Sequence, residues 1–256
     1  MFVLKGDFVY FCTNINIKVY KNMKSMIMMV VALIVICVAF VACSSLKKKS
    51  APRTEFTDEE HEQHFELKME GMERVLGESY ELVGHAFIPF DVGGAVDMYY
   101  FPNGIEGTGF ATMELIYPDG YGPVKNSLGT YELVAFTRHK ISKEKDGDFS
   151  KIERRMCKVF TELGFYTKEA CVEPRETCEV PQDEGEPNIC LIFDEYVPEG
   201  KQFKIGNKKH GLLLVIELFP EEMHYAMKNG GQKLLDLLKE KGYYPYSDMN
   251  RESVVE

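Results

Sequence analysis

The sequence predicts an α+β fold: a mixed, mostly antiparallel sheet with helices packed on it, in a single domain over residues 57–253. Three observations lead there. Four apolar or alternating runs follow one another at hairpin spacing between residues 80 and 137, with turn residues between them. Two later runs, 190–196 and 212–219, are apolar almost throughout, as strands buried on both faces are. Around and between these runs lie segments with helical spacing and recognisable helix starts and stops.

Residues 1–42 come first and read as an export signal. Lys18, Lys21 and Lys24 precede Met26–Val41, sixteen residues without a charge. That is the length of a signal core and shorter than the roughly 20 residues that span a bilayer. Ala42 stands directly before Cys43, so cleavage there would free a cysteine for lipid, diacylglycerol on the thiol and palmitate on the amine. This is the pattern of a bacterial lipoprotein held in a membrane of the cell envelope. Phe40 departs from the Leu, Val or Ile usual three positions before such a cysteine. Met23-Lys24 is a second candidate start, which makes residues 1–22 an upstream extension. The competing reading is an uncleaved anchor, with Lys47, Lys48 and Lys49 balancing charge across the apolar run. Residues 43–56 then form the lipidated cysteine and a polar tether.

In the domain, Thr57-Asp-Glu-Glu60 is a capping box opening a helix with Phe65, Met69, Met72, Val75 and Leu76 on one face, stopped by Gly77. Strands are expected at Tyr80–Phe90, Val96–Phe101, Gly109–Tyr117 and Gly129–Thr137. Ser150-Lys-Ile-Glu153 reads as a second capping box, for a helix running to Gly164. Residues 168–188 are polar and rich in Pro and Glu, a surface loop. After the two apolar strands, Pro220 starts a helix at its favoured position, Asn229-Gly-Gly interrupts it, and Gln232–Lys241 completes it.

Composition narrows the partners. Removing residues 1–42 leaves 26 basic and 39 acidic residues, a net charge of −13. So acidic a surface disfavours nucleic acid and anionic lipid and suits a basic protein; the plainer reading is solubility in an exported chain. Four cysteines follow the anchor position: Cys157, Cys171, Cys178 and Cys190. No CxxC pair occurs, so the pattern is not that of a zinc site. An even number in an exported chain admits disulfides, with Cys178–Cys190 or Cys171–Cys178 as staples of an irregular hairpin and four free thiols as the other outcome.

Chemistry-bearing motifs are sparse. His61 and His64 share a helix face, but Glu59, Glu60, Glu62 and Gln63 around them mark it as a solvated face, and no metal site is expected. Asp91 and Asp97 bracket the Gly93-Gly94 turn, while Glu114 and Glu132 lie inside apolar strands. An envelope enzyme would need Asp97, Glu114 and Glu132 to converge; simple alternation sends Glu114 and Glu132 outward. No nucleophile elbow, dinucleotide fingerprint or P-loop is present, and Gly104–Gly109 joins two strands and opens no helix. No cofactor or catalytic set is therefore expected. Tyr243-Tyr244-Pro-Tyr246, running to Asp248, either covers the core or supplies the aromatic anchors of a protein interface.

Two stretches together resemble the Suppressor of fused-like domain. One is Gly109-Phe-Ala-Thr-Met-Glu-Leu-Ile with Gly129-Thr-Tyr-Glu-Leu-Val-Ala-Phe-Thr137. The other is Leu212-Leu-Leu-Val-Ile-Glu-Leu-Phe-Pro-Glu-Glu-Met223, continuing through Leu234-Leu-Asp-Leu-Leu to Tyr243-Tyr-Pro-Tyr and Arg251. The likeness spans about Glu78 to Arg251. It implies a protein-binding module and not an enzyme. Animal relatives clamp a transcription-factor peptide as an added strand between two lobes, and bacterial members resemble immunity or partner-binding proteins. One lobe behind an export signal is what the sequence leads one to expect here, a departure from the animal pattern, so no binding residue transfers one for one.

Overall fold

The computed structural model describes residues 56–182 and 185–255. The expected signal, Cys43 and most of the tether lie outside the described residues. The elements are α1 (Asp58–Leu76), β1 (Tyr99–Phe101), β2 (Thr108–Ala111), β3 (Tyr131–Thr137), α2 (Asp148–Tyr166), β4 (Thr177–Val180) and β5 (Ile189–Glu195). Then follow β6 (Lys204–Ile205), β7 (Lys208–Lys209), β8 (Gly211–Leu218), α3 (Pro220–Asn229) and α4 (Gly231–Glu240). Six strands form one sheet in the order β1-β2-β3-β8-β5-β4. Only β3 and β8 are parallel, and the other neighbours are antiparallel. The α+β expectation, a mixed and mostly antiparallel sheet with helices on it, describes this architecture.

Both faces of the sheet are covered, and period-two alternation decides which side chain goes where. Val134 and Phe136 of β3 and Leu212, Leu214, Ile216 and Leu218 of β8 pack under Met72, Val75 and Leu76 of α1 and Leu234, Leu235 and Leu238 of α4. Tyr131, Leu133 and Ala135 with Leu213 and Val215 point the other way, onto Met156, Val159, Phe160 and Leu163 of α2. Every residue of β3 and β8 is buried. That is why their sequences read as continuous apolar runs.

The helix boundaries reveal what local signals resolve. The Thr57–Glu60 capping box forms as expected. The one expected at Ser150 does not. Helix α2 starts three residues earlier, with Gly147 in the capping position; Ser150 Oγ donates to the Glu144 carbonyl at 2.9 Å, and Glu153 instead accepts from the Tyr100 hydroxyl. Nor does Gly164 end α2. It lies inside the helix, where a Cβ would meet Phe90 Cζ at 2.9 Å, so the glycine makes room for that ring. Pro220 at the first turn and Gly230 between α3 and α4 stand where the sequence put them.

Two expected strands are corrected. Residues 80–90 make only isolated bridges, Gly84 with Met98 and Pro89 with Ala95. The run expected from Gly109 to Tyr117 pairs only as far as Ala111, because the N–H groups of Leu115 and Ile116 turn to the Glu132 carboxylate at 3.2 and 2.9 Å. The expected surface loop 168–188 contains an edge strand, β4, and a Gly206-Asn207 turn joins β6 to β7.

The proposed staples are also corrected: Cys157, Cys171, Cys178 and Cys190 are all free. The register explains it. Cys178 pairs with Leu191 and Glu179 with Cys190, so Cys178 and Cys190 project from opposite faces of the sheet and cannot be bridged. Cys171 Sγ faces the Lys125 carbonyl and Glu173, at 3.7 Å from each.

Candidate functional site

Beside the first three turns of α1 lies an open cleft of about 350 Å³, lined by His61, Glu62, His64, Phe65 and Lys68 from the helix. Its other wall comes from Asp91 and from Met113, Glu114, Ile116, Tyr117 and Pro118. Residues 113–118 of that wall lie outside every helix and strand, so something must fix them.

Glu132, central in β3, does so. Its carboxylate accepts from Lys68 Nζ at 2.8 Å, Thr112 Oγ1 at 2.7 Å and the N–H groups of Leu115 and Ile116. Lys68 also donates to the carbonyls of Met113 at 2.7 Å and Ile116 at 2.6 Å, so all three of its protons are used. Neither residue is solvent-accessible beyond a trace. Burying such a pair is tolerable only with the remaining lone pairs and protons satisfied, as they are here. The expectation that Glu132 faces solvent is therefore wrong. Alternation within β3 points it to the α1 face, and Lys68 meets it there.

Glu114 is half-buried. Its Oε2 accepts from the Asp97 N–H at 2.8 Å. Burial, then the charges of Asp97, Glu132 and Asp91, push it up to about 7 against that hydrogen bond. Asp97 is held by the Ala86 N–H at 2.8 Å and by His85 Nδ1 at 2.7 Å. Asp91 accepts from the Tyr117 hydroxyl. The three carboxylates Asp97, Glu114 and Glu132 thus lie in one neighbourhood, but Glu132 and Asp97 are committed to shaping it and Glu114 alone of the three lines the cleft.

His64 is half-buried and not simply solvated. Its Nε2–H donates to the Ile116 carbonyl at 3.0 Å, and burial followed by the Lys68 charge lowers its pKa, keeping the ring neutral. His61 is exposed and stacks edge-on with Phe56. Among the described residues no group of three His, Cys, Asp or Glu side chains could hold a metal ion.

The aromatic tail lies away from this cleft and packs down. Tyr246 is buried, with its ring under the Arg138 guanidinium at 4.0 Å. Asp248 is buried, accepting from Thr137 Oγ1 at 2.5 Å and the Arg138 N–H at 2.9 Å. Tyr244 donates to Asp194 at 3.2 Å, and Tyr243 lies beside Arg251, which is paired in turn with Glu222. Of the four tail residues named as anchors, Tyr246 and Asp248 are thus interior, tying the chain end to β3. Tyr243 and Tyr244 are half-buried.

A feature absent from the sequence reading adjoins the cleft. In the 82–92 segment Phe87 is fully exposed, Val92 is 74% exposed, and Leu82 and Ile88 are about half exposed. The segment hangs from Phe90, buried against Phe165 at 4.5 Å between ring centres. The signal for it in the sequence is the apolar run Tyr80–Phe90, whose pattern predicts a strand.

No family model and no curated protein matches the chain. Among solved structures, a chain of the Sufu–Fu complex crystal structure matches with a TM-score of 0.51 at 13% identity, over 75% of this chain and 92% of that one. The fold is Suppressor of fused-like. In that Suppressor of fused-like framework the cleft lies beside the N-terminal half of α1, and Asp91 joins it to the 82–92 segment. Among the described residues no helix is long and apolar enough to cross a membrane.

Proposed function

We propose that this chain is a membrane-anchored protein-binding module of the bacterial cell envelope. In this reading residues 1–42 are a signal, Cys43 carries the lipid, and the domain binds a basic protein and neutralises it by occlusion, as an immunity protein does. The observation that carries the binding role is the 82–92 loop. Phe87 stands fully in solvent beside Ile88 and Val92, whereas the strands behind it are sealed on both faces. Contiguous exposed apolar surface of this kind marks interaction sites. The shared fold supports the reading, since the matched chain was solved within a complex.

A photo-crosslinking residue at position 87 of the full chain, expressed in its own host, tests the binding role. One discrete adduct with a basic protein supports it, and absence of any adduct refutes it. Anchoring is tested separately: Cys43→Ala should abolish incorporation of a palmitate analogue and release the chain from the membrane fraction.

A cell-envelope enzyme using strand carboxylates is the second reading, and one observation favours it. Glu114 lines the cleft with a pKa of about 7, suited to proton transfer at neutral pH. Against it, the Glu132 carboxylate is committed to four hydrogen bonds and Asp97 is fixed by two from Ala86 and His85.

A further inference from the structure

A second pocket, of about 380 Å³, lies between α2, β8 and the chain's tail, and its charged groups are arranged differently from those of the cleft. Lys151, Ile152, Arg155 and Met156 of α2 line it on one side, Ser247 and Met249 on another, with Glu217 of β8 between. The Glu217 side chain is 3% exposed and that of Arg155 44%, so the carboxylate forms the floor and the guanidinium reaches outward. Arg155 holds Glu217 by one edge: Nε donates to the two carboxylate oxygens at 2.8 and 2.7 Å, and Nη2 donates to Oε1 at 2.5 Å. A guanidinium has five N–H donors in a planar fork. Both protons of Nη1 and the second of Nη2 remain, and among the described residues no hydrogen-bond acceptor is paired with Nη1. Glu186 acts on the group only as a more distant charge. Ser247 Oγ donates to the Val215 carbonyl at 2.9 Å and accepts from the Glu217 N–H at 3.3 Å, which fixes the floor. Lys151 stands one turn before Arg155 on the same helix face. Its pair with Asp148, at 3.4 Å, is exposed on both sides, and such pairs hold a side chain weakly. The lining therefore carries two cations against one carboxylate already bound, on a chain whose net charge is −10.

We propose that this pocket binds an aliphatic carboxylate, whose charged head takes the open Nη1/Nη2 edge of Arg155 while its alkyl chain lies against Ile152, Met156 and Met249. The planar fork matches a carboxylate at two points, and a guanidinium already fixed by a buried partner loses little freedom in forming the second pair. Lys151 flanks the head with a second positive charge. Methionine side chains adapt to an alkyl chain of irregular shape, and the volume is that of a small-molecule site. Charge complementarity selects the occupant. A cation would meet Lys151 and Arg155, and a neutral alkyl group would leave the guanidinium edge without an acceptor. The same chemistry is offered by a free short-chain acid and by the C-terminal residue of a peptide with an apolar side chain. The site is separate from the cleft beside α1 and from the 82–92 loop, so it goes beyond the binding role argued above and does not depend on it.

The test is NMR titration of the full chain in detergent, labelled at the methyl groups of its 13 methionines. Met156→Leu and Met249→Leu identify the two signals that belong to the pocket. The probes are 4-methylpentanoate, its amide 4-methylpentanamide, acetate, and N-acetyl-leucine. The pentanoate should give saturable shifts at Met156 and Met249 and at no other methionine. The amide, which lacks the charge, and acetate, which lacks the alkyl chain, should each bind at least about fivefold more weakly. Lys151→Gln, at an exposed position, should weaken the pentanoate about threefold and leave the amide unchanged. The double variant Arg155→Gln/Glu217→Gln removes both buried charges together and should erase the preference for acid over amide. Tighter binding of N-acetyl-leucine than of the pentanoate would support the site with a peptide end as its ligand, and the reverse order would support it with a free acid. Equal binding of acid and amide, shifts only at other methionines, or no saturation would overturn the assignment. So would a folded double variant that still prefers the acid; should that variant not fold, Lys151→Gln and the amide comparison decide.

Discussion

Lys68 Nζ and Glu132 Oε1 lie 2.8 Å apart with both side chains shut off from solvent. Through this pair α1 is pinned to the centre of the sheet, and through Glu132 the backbone from Thr112 to Ile116 is bent into the wall of the cleft. Helix, sheet and cleft wall therefore hang on one carboxylate.

Breaking that pair from one side should be severe. Glu132→Ala leaves a buried ammonium and two unpaired N–H groups, and should cost about 3–5 kcal/mol. Lys68→Met should cost a similar amount by stranding the carboxylate. The double variant Lys68→Met/Glu132→Met should recover part of the loss, because no buried charge remains. Urea unfolding of the three variants measures this; strictly additive losses would show that the two residues do not act as a pair.

Glu114 makes stability depend on pH in an unusual direction. Its folded pKa of about 7 lies above its ordinary value of 4.5. Between those limits the folded chain holds more protons than the unfolded one, so this group's contribution falls as pH rises from 4.5 to 7. Glu114→Gln keeps an acceptor for the Asp97 N–H and should flatten that slope, raising stability at pH 8 above that of the parent. Thermal unfolding between pH 4.5 and 8 reads it.

Gly71 is a test of helix packing against backbone. A Cβ there would lie 2.0 Å from the Lys204 carbonyl oxygen, where the β6–β7 hairpin crosses α1. Alanine normally favours a helix by up to about 1 kcal/mol over glycine. Here the clash is with main chain that cannot rotate aside, so Gly71→Ala should destabilise by about 2 kcal/mol or more, reversing the sign. An unchanged or raised midpoint in urea would mean the hairpin does not press on the helix.

Free thiols make the cysteines chemically distinct. Cys171 is exposed and Cys190 buried. Burial, then neighbouring carboxylates, raise the Cys190 pKa, so reaction there at neutral pH should be slow. Under native conditions a maleimide should label Cys171 first and Cys190 only on unfolding. Reducing agent should leave the melting temperature unchanged, whereas a drop on reduction would reveal a disulfide.

The sequence by itself determined the elements whose signals are local. Thr57–Glu60, Pro220 and Gly230 mark helix ends through groups within four residues of each other, and the runs in β3, β5 and β8 are apolar because both their faces are covered. It also set the acidic balance on which the proposal of a basic partner rests. Only the tertiary structure decided the rest. A segment that alternates like a strand, Gly109–Tyr117, leaves the ladder at Ala111 because Glu132, sixteen residues beyond Ile116, captures its N–H groups. Phe87 and Ile88 lie in a run expected as a strand, Tyr80–Phe90, and stand in solvent, since hydrophobicity along the chain does not say which side of a sheet a segment will pass. Cys178 and Cys190 look poised to pair until register places them on opposite faces. In each case the deciding partner is distant in sequence, and only packing brings it within hydrogen-bonding or van der Waals range.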